Sequence, residues 1–198
     1  MTIFVTGCAR SGTSLTTGVL GALGVQLGTV NRLNEIDAVR DKIIKPYLES
    51  MGRDRLGQYP LADRDNLKPF PGFRARVLAA MGPAQVYKCA KLPPLWPLWK
   101  EHFPGARYII VRRHTEDIVD SCHRASFMRK APDWREWVEF HLECFDEMKR
   151  ELNCIEVWPF KAVSGDLSDY KAMAEFVGKP WNEDAVRKQI RPNQWHGN

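Results

Sequence analysis

Two groups of residues in this sequence have the types and spacing of anion chemistry. The first is Gly7-Cys8-Ala9-Arg10-Ser11-Gly12-Thr13-Ser14, set between the apolar run Thr2-Ile3-Phe4-Val5-Thr6 and the segment Leu15-Thr16-Thr17-Gly18-Val19-Leu20. It reads as strand, loop and helix. Two glycines five residues apart frame a turn whose N–H groups can point inward, and the helix that follows offers unpaired N–H groups and the positive end of its dipole. Arg10 adds a fork of donors suited to a group whose charge is spread over several oxygens. The second group is Arg113, Asp117 and Ser121. Arg113 follows a strand-like run that ends at Val111, and the four-residue steps put Asp117 and Ser121 on one helix face with Arg113 at its entrance. An Arg and a hydroxyl at a helix start make a second clamp for a phosphate or sulfate.

The first loop departs from the nucleoside-triphosphatase pattern in an informative way. That pattern places a Lys after the second Gly, to reach the β- and γ-phosphates, and a later strand ends in an Asp that helps hold Mg²⁺. Here Thr13 follows Gly12, and no strand candidate ends in a suitable Asp. The loop therefore fits an anion better than it fits triphosphate hydrolysis, and no metal is expected.

The elements that must position these groups follow from periodicity. Strands are expected at Thr2–Thr6, Gln85–Cys89, Ala106–Val111 and Cys154–Trp158, each followed by a helical pattern. Helices are expected from Thr13 to Leu23, from Glu35 to Ser50 with a kink at Pro46, from Phe73 to Met81, and from Leu92 to Phe103. Others should start near Thr115, run over 133–152 with a Trp-rich core face, and end at Phe176–Val177. Residues 51–72 read as loop or partly helical surface. Alternating strands and helices predict an α/β fold: three layers, α/β/α, with a central parallel sheet of four to five strands of P-loop type. At 198 residues the chain reads as one domain over 1–198.

Composition narrows the class. Hydrophobic residues at 44% and charged residues at 27% are ordinary for a globular chain. The formal charge of +5 is mild and is not pooled in a stripe or tail, so it favours a small anionic ligand over nucleic acid. No apolar run is long enough for a membrane span, the chain opens directly into its first strand, and the five cysteines lack metal or disulfide spacing. Together these lead to the expectation of a cytoplasmic protein with reduced thiols.

On these residues the sequence resembles the sulfotransferase family that uses 3′-phosphoadenosine 5′-phosphosulfate (PAPS) as donor. Arg10-Ser11-Gly12-Thr13-Ser14-Leu15 is similar to that family's Arg-Ser-Gly-Thr-Ser/Thr-Leu loop. Arg113, Asp117 and Ser121 resemble its strand-end Arg and helical Ser, with His114-Thr115 in place of Asn/Asp-Pro. Tyr87-Lys88-Cys89-Ala90-Lys91-Leu92 resembles its Lys-Asp-Pro-Arg-Leu segment, and Gly165-Asp166-Leu167 through Gly178 its late Glu-Asp-Leu…Phe-Leu-Gly region.

The resemblance implies transfer of a sulfuryl group to a hydroxyl or amine of a small-molecule or carbohydrate acceptor. Ser11, Gly12, Thr13 and Ser14 would hold the 5′-phosphate, Arg10 would face the sulfate, and Arg113 and Ser121 would hold the 3′-phosphate. For the general base, Asn31 through Asp37 resembles the family's Asn-Pro-x-Gly-x-x-Glu stretch, which makes Asp37 and nearby Glu35 the two candidates. His123 and His141 read as structural. The family's late Gly-rich loop has no counterpart in Arg191-Pro192-Asn193-Gln194-Trp195-His196-Gly197-Asn198. Two other readings stay open: a catalytically silent protein that binds PAPS or its desulfated product 3′-phosphoadenosine 5′-phosphate (PAP), and an atypical P-loop kinase.

Overall fold

The computed structural model describes residues 1–61 and 63–190. Four strands, β1 (Ile3–Gly7), β2 (Val86–Lys88), β3 (Arg107–Val111) and β4 (Cys154–Val157), form one parallel sheet in the order β2-β1-β3-β4. The expected α/β architecture is present, with four strands. Alternate residues of each strand point to opposite faces, and this period divides the core in two. Ile3, Val5, Val86, Ile109 and Val111 enter one cluster, while Phe4, Tyr87, Tyr108 and Ile110 enter the other. Helices cover both faces.

The first face carries α1 (Thr13–Ala22), α8 (Pro159–Val163), α9 (Ser168–Val177) and α10 (Glu183–Arg187). Val19 and Leu20 of α1 and Tyr170, Met173 and Val177 of α9 are buried there at the spacing of one helix face. The opposite face carries α2 (Asp37–Val39), α3 (Lys45–Ser50), α4 (Phe73–Met81), α5 (Trp96–His102), α6 (Thr115–Arg124) and α7 (Trp134–Glu151). Its centre is aromatic. Phe4 lies 4.7 Å from Trp99 and 5.2 Å from Phe103, both edge-on, the geometry that ring quadrupoles favour.

Two prolines are accommodated in ways the sequence left open. The helix expected from Glu35 starts at Asp37 and passes through a π-helical turn, Arg40–Ile44, before Pro46 in the first turn of α3. Pro46 has no N–H to give, and the widened turn ahead of it makes room for its ring. Pro97 likewise falls in the first turn of α5, because the preceding Pro93–Leu95 forms a separate 3₁₀ turn. Residues 51–72 contain one 3₁₀ turn, Arg64–Asn66, among those described.

The strand order has a functional consequence. In the order β2-β1-β3-β4 the chain leaving β1 runs to β2 on one side while the chain leaving its neighbour β3 runs to β4 on the other. That switch point is where open parallel sheets form a ligand crevice, and it is where Gly7 leads into the loop.

Candidate functional site

The loop after β1 is built around two glycines with different tasks. A Cβ on Gly7 would lie 2.5 Å from Ser11 Oγ and 2.6 Å from the backbone O of Val111, so only a hydrogen fits where the end of β1 lies between the loop and β3. Gly12 caps α1 with φ at 100°, a left-handed conformation natural to glycine, and no side chain caps the helix. The N–H groups of Thr13, Ser14 and Leu15 have no carbonyl one turn earlier to receive them. They are the donors available to an anion.

Arg10 also adopts a left-handed backbone, φ 74°, unusual for a residue with a side chain. Its conformation joins the two sequence motifs. Arg10 Nε donates to Ser121 Oγ at 2.9 Å, and Arg113 Nη1 donates to the Arg10 carbonyl at 3.0 Å. Asp117 Oδ2 stands 3.5 Å from Arg113 Nε. Burial lowers the pKa of the Arg113 guanidinium, against the opposing pull of Asp117.

Both motifs open into one cavity of about 670 Å³, a volume suited to a small organic ligand. Arg10, Gly12, Thr13, Ser14, Arg113 and Ser121 line it. Ser11 is placed differently from the other loop residues. Its N–H donates to the Cys8 carbonyl at 3.2 Å, and its hydroxyl is fully buried, without a partner among the described residues and off the cavity lining. The tight turn that needs Gly7 folds the Ser11 side chain inward, off the cavity lining.

The two carboxylates are also separated. Glu35 lines the cavity and is its one acid among the described lining residues. Asp37 is off the lining, at the exposed start of α2, where it accepts from Asn31 Nδ2 at 2.7 Å and pairs with Arg40 at 2.8 Å. An acid in a first turn complements the helix dipole, and Asp37 is placed for that. Burial alone would raise the Glu35 pKa. Lys88 and Arg40, 3.1 Å and 2.6 Å away, outweigh it and hold the carboxyl below its ordinary range.

Lys88 received no role in the sequence reading. It ends β2 in register with Val5, which turns its side chain to the α1 side of the sheet. Its ammonium donates to Ser14 Oγ at 3.1 Å and to the Leu33 carbonyl at 2.9 Å. Burial lowers its pKa, opposed by Glu35. The cation absent after Gly12 is therefore supplied from the neighbouring strand. The available signal was a charged residue in an apolar strand beside the loop strand.

The site fits a ligand with several anionic oxygens: uncapped N–H groups, the guanidinium groups of Arg10 and Arg113, the Lys88 ammonium, and hydroxyls from Ser14 and Ser121. No cluster of three or more His, Cys, Asp or Glu side chains with metal-binding geometry occurs among the described residues. No helix among them is long and apolar enough to cross a membrane. The C-terminal stretch from Arg191 to Asn198, expected to differ from a Gly-rich closing loop, lies outside the described residues.

No protein-family model matches the sequence, and no curated protein matches it. Among the solved structures that share its fold are two sulfotransferases. The sulfotransferase domain from the curacin biosynthetic pathway superposes with a TM-score of 0.59 at 14% identity, over 100% of this chain and 80% of that one. Sulfotransferase STF1 from Mycobacterium tuberculosis H37Rv superposes with a TM-score of 0.54 at 13% identity, over 95% of this chain and 70% of that one. At such identities the likeness establishes the fold. The chain has the α/β sheet architecture of sulfotransferase structures.

Proposed function

We propose that this chain binds PAPS at the loop after β1 and transfers its sulfuryl group to a hydroxyl or amine of a small acceptor. The reading is carried by one observation: the two anion clamps recognised in the sequence meet in one cavity through the contacts of Arg10 with Ser121 and Arg113. When bound, PAPS would supply the activated sulfuryl group, whose sulfur–oxygen bond to the 5′-phosphate breaks as one to the acceptor forms. The N–H groups of Thr13, Ser14 and Leu15 hold the 5′-phosphate, and Arg113 and Ser121 hold the 3′-phosphate. Arg10 and Lys88 stabilise charge that develops near the sulfate, as fixed donors in a site sheltered from water do. Ser11 shapes the turn.

Glu35 is the carboxylate assigned to receive the acceptor proton, since it reaches the cavity and Asp37 does not line it. Its depressed pKa makes it a weak base. A second reading draws on the same observation: with Glu35 held by Lys88 and Arg40, the protein binds PAP or PAPS without turnover.

Titration calorimetry with PAP tests the proposal. Binding without Mg²⁺, weakened at least about a hundredfold by Arg113→Ala through loss of charge-assisted hydrogen bonds, is expected. Absence of binding would refute it. Binding with no transfer to any acceptor in a broad panel would select the second reading.

A further inference from the structure

The cavity carries more positive charge than the donor contacts use. Besides Arg10 and Arg113, Arg32, Arg40, Lys45, Lys88 and Lys91 line it, against Glu35 as the one acid among its described lining residues. Most of this charge is matched locally: Arg40 by Glu35, Asp37 and Asp41, Lys45 by Asp41, and Lys88 by Glu35. Arg32 and Lys91 make no ion pair among the described residues. Two positive charges are left over at a concave wall, where low-dielectric surroundings focus their field.

An apolar surface adjoins them. Leu33, Leu56 and Phe127 are 47%, 37% and 52% exposed and all line the cavity, with Met128 and Trp137 buried behind. Lys91 is continuous with this surface. Its stem lies against Gly57, where a methyl group would sit 3.2 Å from Lys91 Cγ, and the Gly57 carbonyl accepts from Trp137 Nε1 at 3.0 Å. Gln58 ties the two rims together by donating to the Phe127 carbonyl at 2.7 Å and accepting from Arg129 N at 2.9 Å and Lys130 N at 3.1 Å. Exposed side chains gathered at a pocket mouth, on segments held to each other, form a binding wall.

We infer that the acceptor is a hydroxylated amphiphile carrying an anionic group, carboxylate or phosphate, which Lys91 and Arg32 receive while Leu56, Phe127 and Trp137 cover its apolar body. The inference rests on the donor reading above, since it gives to the acceptor the lining that the donor contacts leave over. A neutral or cationic acceptor would leave the two cations uncompensated or repelled. An acceptor without an apolar body would leave the rim exposed.

A matched series tests it: 8-hydroxyoctanoate, 8-hydroxyoctyl phosphate, 1,8-octanediol and 8-amino-1-octanol, each titrated into the protein with and without saturating PAP. At least one anion should bind about tenfold or more tighter than the diol, the equivalent of one charge-assisted hydrogen bond, and the amine should bind weakest. Whether carboxylate or phosphate binds better identifies the anion. Lys91→Gln should remove most of the preference, and the Arg32→Glu/Lys91→Glu double variant should turn it toward the amine, while PAP affinity stays within about twofold and reports that the fold is intact. Equal binding of diol and anion, no measurable binding by any member, or an anion preference that survives the double variant overturns the inference and leaves the donor reading standing. Failure of PAP to bind would instead refute the donor reading, and the series without PAP still decides the charge preference.

Discussion

Replacing Glu35 by Gln isolates what this carboxylate does in the structure. Arg40 retains Asp37 and Asp41, both at 2.8 Å, so the lost charge falls chiefly on Lys88. The Lys88 side chain is 4% exposed and would keep only the Ser14 hydroxyl and the Leu33 carbonyl. Removing one partner of a buried ion pair costs about 3–5 kcal/mol, and the partial exposure of Glu35 together with the two remaining acceptors reduces this to about 2–3 kcal/mol. For a chain of this length that is a fall in Tm of about 5–10 °C. Lys88→Met removes the charge that makes Glu35 necessary, so Glu35→Gln/Lys88→Met should lose no more stability than Lys88→Met alone. That corresponds to a coupling of about 2 kcal/mol in a double-mutant cycle. Urea denaturation of the four proteins measures it. The pH dependence supplies an independent check. The Glu35 carboxyl is held below its ordinary 4.5, so its stabilisation is complete above that value and is lost as pH falls through the folded pKa. The gap between the native protein and Glu35→Gln should therefore close in acid. Additive losses in the cycle, or a gap that does not change with pH, would refute the assignment of Glu35 as the counter-charge of Lys88.

Two further outcomes follow from the packing. Gly7→Ala places a methyl group 2.6 Å from the Val111 backbone O, which cannot rotate away, and should lower stability by about 1–3 kcal/mol and weaken PAP binding. Gly105→Ala meets nothing within 4 Å and should leave both unchanged, a comparison that thermal unfolding and calorimetry decide. His141 is buried, with Nδ1 2.7 Å from the Trp137 carbonyl, and its pKa is lowered by burial from 6.5 to about 4. It is neutral when folded and binds a proton more readily when unfolded, so it withdraws stability as pH falls from 6.5 towards 4. His141→Phe should flatten the stability curve in that interval, as measured by denaturation at a series of pH values.

The strands and long helices were legible because their signals are local. Short apolar runs in Ile3–Gly7 and Arg107–Val111 follow from burial on both faces of a parallel strand, and the stepped aromatic face of Trp134–Glu151 from burial on one side of a helix. The π-helical turn before Pro46 was not, because its form depends on how a proline ring is fitted against one particular core. In the site, residue types and spacing marked Arg10, Gly12, Thr13, Ser14, Arg113 and Ser121, all of which line the cavity. They could not mark the direction of the Ser11 hydroxyl, which the clearance at Gly7 sets, nor the place of Lys88, which the pairing of β2 with β1 sets. Glu35 and Asp37 stand two residues apart in sequence, yet one enters the cavity and the other starts a helix, because the chain turns between them.

Arg10 shows how the two motifs act as one device. A left-handed backbone costs a residue with a side chain about 1–2 kcal/mol, and such strain persists where surrounding contacts fix it. Here the same conformation turns the Arg10 carbonyl to Arg113 and its guanidinium to Ser121. A Lys could accept from Arg113 through its carbonyl equally well, but its single ammonium lacks the planar fork that can hold Ser121 and still present donors to a ligand. Glycine would relieve the backbone and lose the side-chain contact. The position thus requires a residue ill-suited to the backbone it adopts, and the loop, β3 and α6 are held in register by that compromise. Two motifs encoded about a hundred residues apart are thereby held together by the chain's own contacts.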